Sequence, residues 1–532
     1  MLRWLTRTRN RSAERDTSQV DVIACRKRGN NFLAAGRIAE AEACYREALA
    51  LGPDGSHGVD THIALAYVLI EQRRLQEAQS HLRAALDIDP CHIDACYLLG
   101  TTLEACGESA AAIEQFCQTL ALSPDFDAAL AALNNLGGVL LEQGQSEQAI
   151  ECFHRALKIR PQSADLHHNL GMALQDASQP GASLEHYRRA TELNPDFAVA
   201  HWMEALCHLQ MGDFEEGWKK YEWRWKKEPL QSWAPRFTQP RWDGSQSLHG
   251  KTILLWAEQG LGDTIQFCRY VNMVAARGAI VTLASQTPLK SLLAQMSGIR
   301  HIVTDYKSLP ACDFHCPLIS LPLAFGTRLD TIPADVPYLR ADPAKRQRWH
   351  ERLDRHKGLR VGLVWAGGLR PEQPELASTN ERRNIPLKKL APLNAHGVEF
   401  FSLQIGDYGA RQLKDLQQIS WNGPQIIDYT DTIADFSDTA ALIDNLDLVI
   451  SVDTSTAHLA GALGKPVWIM NRFDTCWRWM RNRTDSPWYP TARLFRQPHP
   501  GDWDSVVEQV VAALSEVAQF GVHTESTHVQ LD

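Results

Sequence analysis

Ile450-Ser-Val-Asp-Thr-Ser-Thr-Ala-His-Leu-Ala-Gly-Ala-Leu-Gly-Lys-Pro-Val467 reads as a buried strand ending at Asp453, a turn, and a helix. Thr454 or Ser455 caps that helix by accepting one of its early N–H bonds. The other N–H groups of the first turn have no intrahelical partner and favour an anion. Asp453, Thr454, Ser455 and Thr456 therefore mark either a seat for a diphosphate or an ordinary capped α/β turn. His458, one turn further on, either donates to that anion or is a satisfied core imidazole; both readings are open. Ala457, Ala460, Gly461 and Ala462 let the helix pack closely on a sheet.

The same alternation extends in both directions. Downstream of residue 358 the apolar runs 359–365, 399–403, 425–428, 446–452 and 466–470 read as strands, with helices at 437–444 and 455–463 between them. Upstream, strands are expected at 251–256, 279–284 and 301–304, a tight loop at 260–263, and helices at 264–277 and 289–296. Strands alternating with helices imply doubly wound parallel sheets. Two such series imply two Rossmann-like lobes, 229–340 and 341–520, facing a cleft, with ligand at the carboxyl ends of the strands.

The first part of the chain has a different period. Of the 16 tryptophans only Trp4 precedes Trp202. Pro90 and Pro124 are 34 residues apart, as are Pro161 and Pro195; the steps from Pro53 to Pro90 and from Pro124 to Pro161 are 37. Gly29, Gly36, Ala41, Tyr45 and Ala48 return as Gly100, Gly107, Ala112 and Phe116, then as Gly137, Gly144, Ala149, Phe153 and Ala156. Gly171, Tyr187 and Ala190 form a weaker copy. Small residues let paired helices approach, the aromatic fills the space between them, and proline ends the second helix. This pattern resembles the tetratricopeptide repeat. It implies a helical solenoid over 21–228, with a divergent sixth unit from residue 197 to about 226. Such an array holds extended peptide on its concave face. Asn135 and Asn169, 34 residues apart, either contact that peptide or are plain solvated positions.

Composition narrows the function classes. A formal charge of −9 provides no general drive toward nucleic acid or anionic membrane. No stretch approaches 18 apolar residues, so a transmembrane helix is not expected. The twelve cysteines are scattered without a disulfide framework, which suits reduced thiols and a cytoplasmic protein. Cys312, His315 and Cys316 lack a second ligand pair, so no metal site is expected. The basic segment 1–20 is expected to be a disordered arm rather than a secretory signal, and 521–532 a disordered tail. The Asp-x-Asp triplets Asp87/Asp89, Asp125/Asp127 and Asp502/Asp504 fall at helix ends and read as caps.

Asp453-Thr454, His458-Leu459 and Gly464-x-Pro466 resemble the nucleotide-sugar motif of the ADP-heptose heptosyltransferase family. Glu258-Gln-Gly-Leu-Gly-Asp263 is similar to that family's strand-end loop. The resemblance covers roughly residues 251–520. It implies a GT-B fold, with donor held by the C-terminal lobe and inverting transfer without metal. It also implies that Asp263 is the base for the acceptor hydroxyl; the residues alone leave open that Asp263 merely caps the helix beginning at Thr264. Arg383, beside Arg382 and Lys388, falls where the family binds phosphate, and is either a phosphate ligand or a solvated loop charge. Phe436 either stacks on the donor base or packs in the core. Arg478, within Trp477-Arg-Trp-Met-Arg481, is placed to pair with phosphate, while the neighbouring tryptophans close the pocket or brace the lobes. The fusion of repeats to such a unit is similar to the O-linked N-acetylglucosamine transferases, whose repeat asparagines line peptide backbone. The resemblance thus implies a cytoplasmic glycosyltransferase. It would move sugar from a nucleoside diphosphate donor, a substrate rather than a cofactor, to a hydroxyl on a protein or glycan presented by the repeats. The alternative is a repeat scaffold with a non-catalytic nucleotide-binding unit.

Overall fold

The computed structural model describes residues 12–52, 55–123, 127–228, 230–232, 237–368, 377–416 and 421–520. Residues 1–11 of the expected arm, the expected tail 521–532, and Pro53, Pro124 and Asp125 lie outside them. The chain forms two compact units. One runs to Ala177 and takes in Glu192–Asn194; the other comprises Ser178–Thr191 and the chain from Pro195 onward.

The first unit holds the helix pairs α1 (Ser12–Ala34) and α2 (Ile38–Ala50), α3 (Gly55–Glu71) and α4 (Leu75–Ile88), α5 (Ile93–Ala105) and α6 (Ser109–Leu122), and α7 (Asp127–Glu142) and α8 (Ser146–Ile159), then α9 (Ala164–Asp176). Residues 12–20, expected in the arm, instead continue α1; they contain neither Gly nor Pro to stop a helix. The repeat glycines are sites of close approach. A Cβ added to Gly29 would stand 2.6 Å from the Tyr45 ring, at Gly100 2.8 Å from Phe116, and at Gly137 2.5 Å from Phe153. In the second pair Ala66 and Leu82 hold the corresponding positions and are fully buried. A larger residue on one helix meets a smaller one on the other, which keeps the packed volume. The turn inside each pair needs positive φ. Gly36, Gly107 and Gly144 supply it, and Arg73 adopts it at φ 61°. The second pair thus lacks both repeat glycines, with Ala66 and Arg73 in their places. Asp89 follows α4, and its carboxylate accepts the Cys91 amide in the turn beyond the helix rather than capping the helix itself.

The second unit contains most of α10 (Pro180–Leu193), α11 (Ala198–Met211) and α12 (Phe214–Tyr221), followed by two sheets. The first sheet has β1 (Thr252–Trp256), β2 (Ile280–Ala284), β3 (His301–Val303) and β4 (Phe314–Pro317), in the parallel order β3-β2-β1-β4. Its helices are α13 (Leu261–Phe267), α14 (Val271–Ala276), α15 (Lys290–Leu293) and α16 (Leu321–Ala324). After α17 (Pro343–Leu353) comes a six-stranded parallel sheet of β5 (Leu359–Val364), β6 (Val398–Ser402), β7 (Ile426–Ile427), β8 (Leu448–Val452), β9 (Val467–Asn471) and β10 (Ala492–Arg496). Its order is β10-β9-β8-β5-β6-β7. The accompanying helices are α18 (Ala377–Arg383), α19 (Asp407–Leu416), α20 (Phe436–Asp444), α21 (Ser455–Ala462) and α22 (Trp503–Phe520).

Several features differ from the sequence expectation. Strands β4 and β10 were not foreseen: β4 is only four residues long and carries His315, and arginines interrupt β10. The expected helix 264–277 is two helices joined by a 3-10 turn at Cys268–Tyr270. His315 and Cys316 lie on β4, where His315 accepts the Trp256 indole N–H at 3.2 Å and stacks 4.4 Å from Phe237. Burial pushes the pKa of this imidazole down to about 4. Finally, the repeat region does not end as a unit at residue 228. Leu209, Phe214, Trp218 and Tyr221 share one buried core with Phe267, Trp477 and Trp488 of the α/β region. Trp218 meets Trp477 edge-on at 5.4 Å, so apolar burial assigns α11 and α12 to the second unit. Among the described residues, no helix is long and apolar enough to cross a membrane.

Candidate functional site

The loops at the carboxyl ends of β1, β5, β6, β8 and β9 surround a cavity of about 530 Å³ in the second unit. This is where doubly wound sheets place ligands. On the first-sheet side stands the start of α13, and on the second-sheet side the start of α21. They approach closely: a Cβ on Gly262 would lie 2.9 Å from His458 Cδ2 and 3.4 Å from Ser455 Cα. Asp263, Arg383, Phe436, Asp453, Thr454, Ser455, Thr456, His458 and Arg478 all line the cavity, so the sequence-derived site residues come together here. Asn135 and Asn169 belong to the first unit instead.

Side-chain roles depart from expectation at several positions. Asp263 is the third residue of α13, and its Oδ2 accepts the Gly260 N–H at 2.9 Å, satisfying the amide at the start of the helix. Its Oδ1 accepts from Arg478. Arg478, expected on a phosphate, is thus an ion-pair partner of Asp263. It also donates to Gln266 Oε1 at 2.7 Å and lies 4.3 Å over the Trp477 ring. Burial opposes its charge, but Asp263 holds its pKa above the ordinary value. The reason is desolvation: a guanidinium taken out of water needs a carboxylate close by. Of the two readings of the neighbouring tryptophans, packing holds: Trp477, Trp479 and Trp488 are buried in the core.

Thr454 is the cap of α21, its hydroxyl accepting from the Ala457 amide at 3.5 Å and pairing with Ser451 at 3.0 Å. Ser455 and Thr456 then present the first amides of α21 at the cavity, where helix geometry leaves them without an intrahelical partner. His458 is buried. Its Nδ1 meets the Tyr489 hydroxyl at 2.9 Å, its ring stacks on Trp479 at 5.1 Å, and its Nε2 stands 4.0 Å from Asp453 Oδ1. Burial pushes its pKa down to about 4, so the ring is neutral at pH 7. Nδ1 is thus satisfied by the core, while the ring borders the cavity. Phe436 likewise packs on the core and walls the cavity. Arg383 donates to the Asp453 carbonyl at 3.2 Å and to Asn380 Oδ1 at 2.6 Å.

Sequence reasoning missed Arg472 and Gln404. Arg472 follows β9 directly, so a cation at a strand's carboxyl end was a usable signal; it donates to the Thr379 carbonyl at 3.2 Å and pairs with Asp474 at 3.4 Å. Gln404 follows β6 and accepts from the Trp365 and Ala366 amides at 3.2 and 2.9 Å, which fixes the loop after β5. Nothing local in the sequence distinguishes that glutamine. In the first unit Asn169 donates to Asn134 Oδ1 at 2.7 Å, an inter-repeat bond that the Asn135–Asn169 spacing did not suggest.

Comparison with known proteins identifies tetratricopeptide repeats at residues 26–91, 69–136 and 127–196. The chain therefore carries a tetratricopeptide array in its N-terminal region. Protein FlbA of Caulobacter vibrioides is 29% identical over 492 residues, spanning 88% of this chain and 74% of FlbA. DnaJ homolog subfamily C member 3 of Mus musculus is 34% identical over 107 residues, 20% of this chain and 21% of that protein. The crystal structure of MamA aligns with a TM-score of 0.30 at 22% identity, covering 32% of this chain and 96% of MamA.

Proposed function

We propose that this chain is a glycosyltransferase whose two α/β lobes form a GT-B-type unit and whose tetratricopeptide repeats bind the protein or glycan that receives the sugar. One observation carries the reading: a single cavity at the carboxyl ends of two parallel sheets, with the amide-bearing start of α21 facing Asp263. A nucleotide-linked sugar suits that arrangement. The first turn of α21 and Arg383 meet its phosphate, and Phe436 offers an apolar face to its base. Asp263 then takes the proton of the attacking hydroxyl while the bond from the anomeric carbon to the departing phosphate breaks. Each carboxylate oxygen has two acceptor positions, so the bonds from Gly260 and Arg478 leave room for that proton.

A second reading has its own support. Both oxygens of Asp263 are engaged, as in a purely structural cap, which suits a repeat scaffold whose cavity binds nucleotide without turnover. The experiment separates the two. Thermal shift against a panel of nucleotide sugars should identify one that raises the melting temperature of the full chain. With that donor, Asp263→Asn should lower transfer by about 10²–10⁴-fold while the thermal shift persists. Binding without turnover in the unmodified chain favours the scaffold, and equal transfer by the Asn variant removes Asp263 from the chemistry.

A further inference from the structure

Among the described residues four non-glycine positions have positive φ: Arg73, Ser178, Met480 and Asn482. Three of them meet at one place in the second unit. Ser178, at φ 59°, forms the turn before α10. Met480 (φ 49°, ψ −163°) and Asn482 (φ 53°) end the loop 472–482 that follows β9. Ser178 Oγ donates to the Phe473 carbonyl at 3.1 Å, and Arg481 donates to the Ser178 carbonyl. From α11, the buried Gln210 side chain donates to the Thr475 carbonyl at 3.0 Å. The turn after α11 also touches the loop, since a Cβ on Gly212 would stand 3.0 Å from Met480 Cε. Residues in this part of the φ/ψ map persist only where their surroundings force them to. Here the forcing contacts come from the repeat helices, and the loop they hold carries Arg472 and Arg478 to the cavity wall.

We propose that Ser178 and Gln210 are positioning residues that hold loop 472–482 in its strained form, so that Arg478 reaches across the cavity to Asp263. Their bearing on sugar transfer rests on the proposed function; the mechanical link does not. Without the two tethers the loop relaxes its positive-φ residues, Arg478 withdraws, and Asp263 keeps only the Gly260 amide. The start of α13, more than 200 residues earlier in the chain, then loosens as well.

Hydrogen–deuterium exchange on the full chain without any donor tests this link. In Ser178→Gly and Gln210→Met, amides in both 472–482 and 258–264 should exchange about tenfold faster than in the unmodified protein. Ser178→Gly also relieves the turn's own φ, so its melting temperature should hold or rise while the distant loop loosens. Ser178→Asn tolerates this φ and carries a donor, and should restore slow exchange in 258–264. Exchange that rises only in 472–482, or an Asn variant that restores nothing, would overturn the proposal. If Gln210→Met does not fold, the Ser178 pair decides alone. Because no donor is present, the outcome is independent of whether the chain transfers sugar.

Discussion

His458 illustrates how burial sets the chemistry of a single residue. Its imidazole sits between Tyr489, Trp479 and Asp453, and its pKa falls to about 4, against about 6.5 in an unfolded chain. The folded protein refuses a proton that the unfolded chain accepts in that interval. The contribution to stability is therefore complete above about pH 6.5 and is lost as pH falls toward 4. His458→Gln, which cannot titrate, should flatten the acid side of the stability profile by up to about 1.4 kcal/mol per pH unit. Denaturant melts at pH 5 and pH 7 measure this directly, and an unchanged difference between the two would mean the ring protonates freely in the fold. Glu258 has the opposite sign. Burial pushes it up to about 7 despite its 3.0 Å contact with Arg224, so its ionisation lowers stability as pH rises from about 4.5 to 7. Glu258→Gln should remove that decline, read in the same melts.

At the level of helices, the repeat pairs are set by one volume rule applied at two positions sixteen residues apart. Gly137 leaves room for Phe153, and Ala66 faces the smaller demand of Leu82. Gly137→Ala places a methyl 2.5 Å from the Phe153 ring and should destabilise the first unit by about 1–3 kcal/mol. Phe153→Leu in the same chain should recover much of that loss, because it recreates the Ala–Leu combination of the second pair. The double-mutant cycle reads this as a coupling energy, and simple additivity of the two substitutions would refute the rule.

For the molecule as a whole, the boundary that matters lies near Ser178 and not at the end of the repeat pattern. α10 is bound to α11 by Arg188–Glu204 at 3.5 Å and by Cys207 to Ser183 at 3.6 Å, and Ser178 bonds the loop beside the cavity. A chain beginning at Ser178 should therefore keep the melting transition of the second unit close to that seen in the full protein. One beginning at Pro195 loses these contacts, leaves the buried Glu204 with fewer cations, and should melt lower, by about 1–2 °C per kcal/mol lost. Differential scanning calorimetry of the two truncations provides the comparison; equal melting temperatures would show that α10 is dispensable to the second unit.

Residues close in sequence carried most of what could be read without coordinates. Gly29 with Tyr45, Gly100 with Phe116, and the strand–turn–helix from Leu448 to Ala462 are built from contacts within one hairpin or one turn, so their spacing specifies them. Most strands of the two sheets were legible for the same reason, as short apolar runs between helices. The site was legible as a set of loops but not as a set of bonds. Asp263 was readable as a strand-end carboxylate, yet its partner Arg478 lies 215 residues away. Local pattern does not encode which cation a sheet topology will bring to a buried carboxylate. The same holds for Trp477 and Trp488, which beside a strand end read as a lid or as a brace until Trp218 and Phe267 arrive from other elements to bury them. Local sterics fixed the repeats and the order of strands and helices; long-range desolvation, which forces buried charges and rings to find partners, decided what each side chain does.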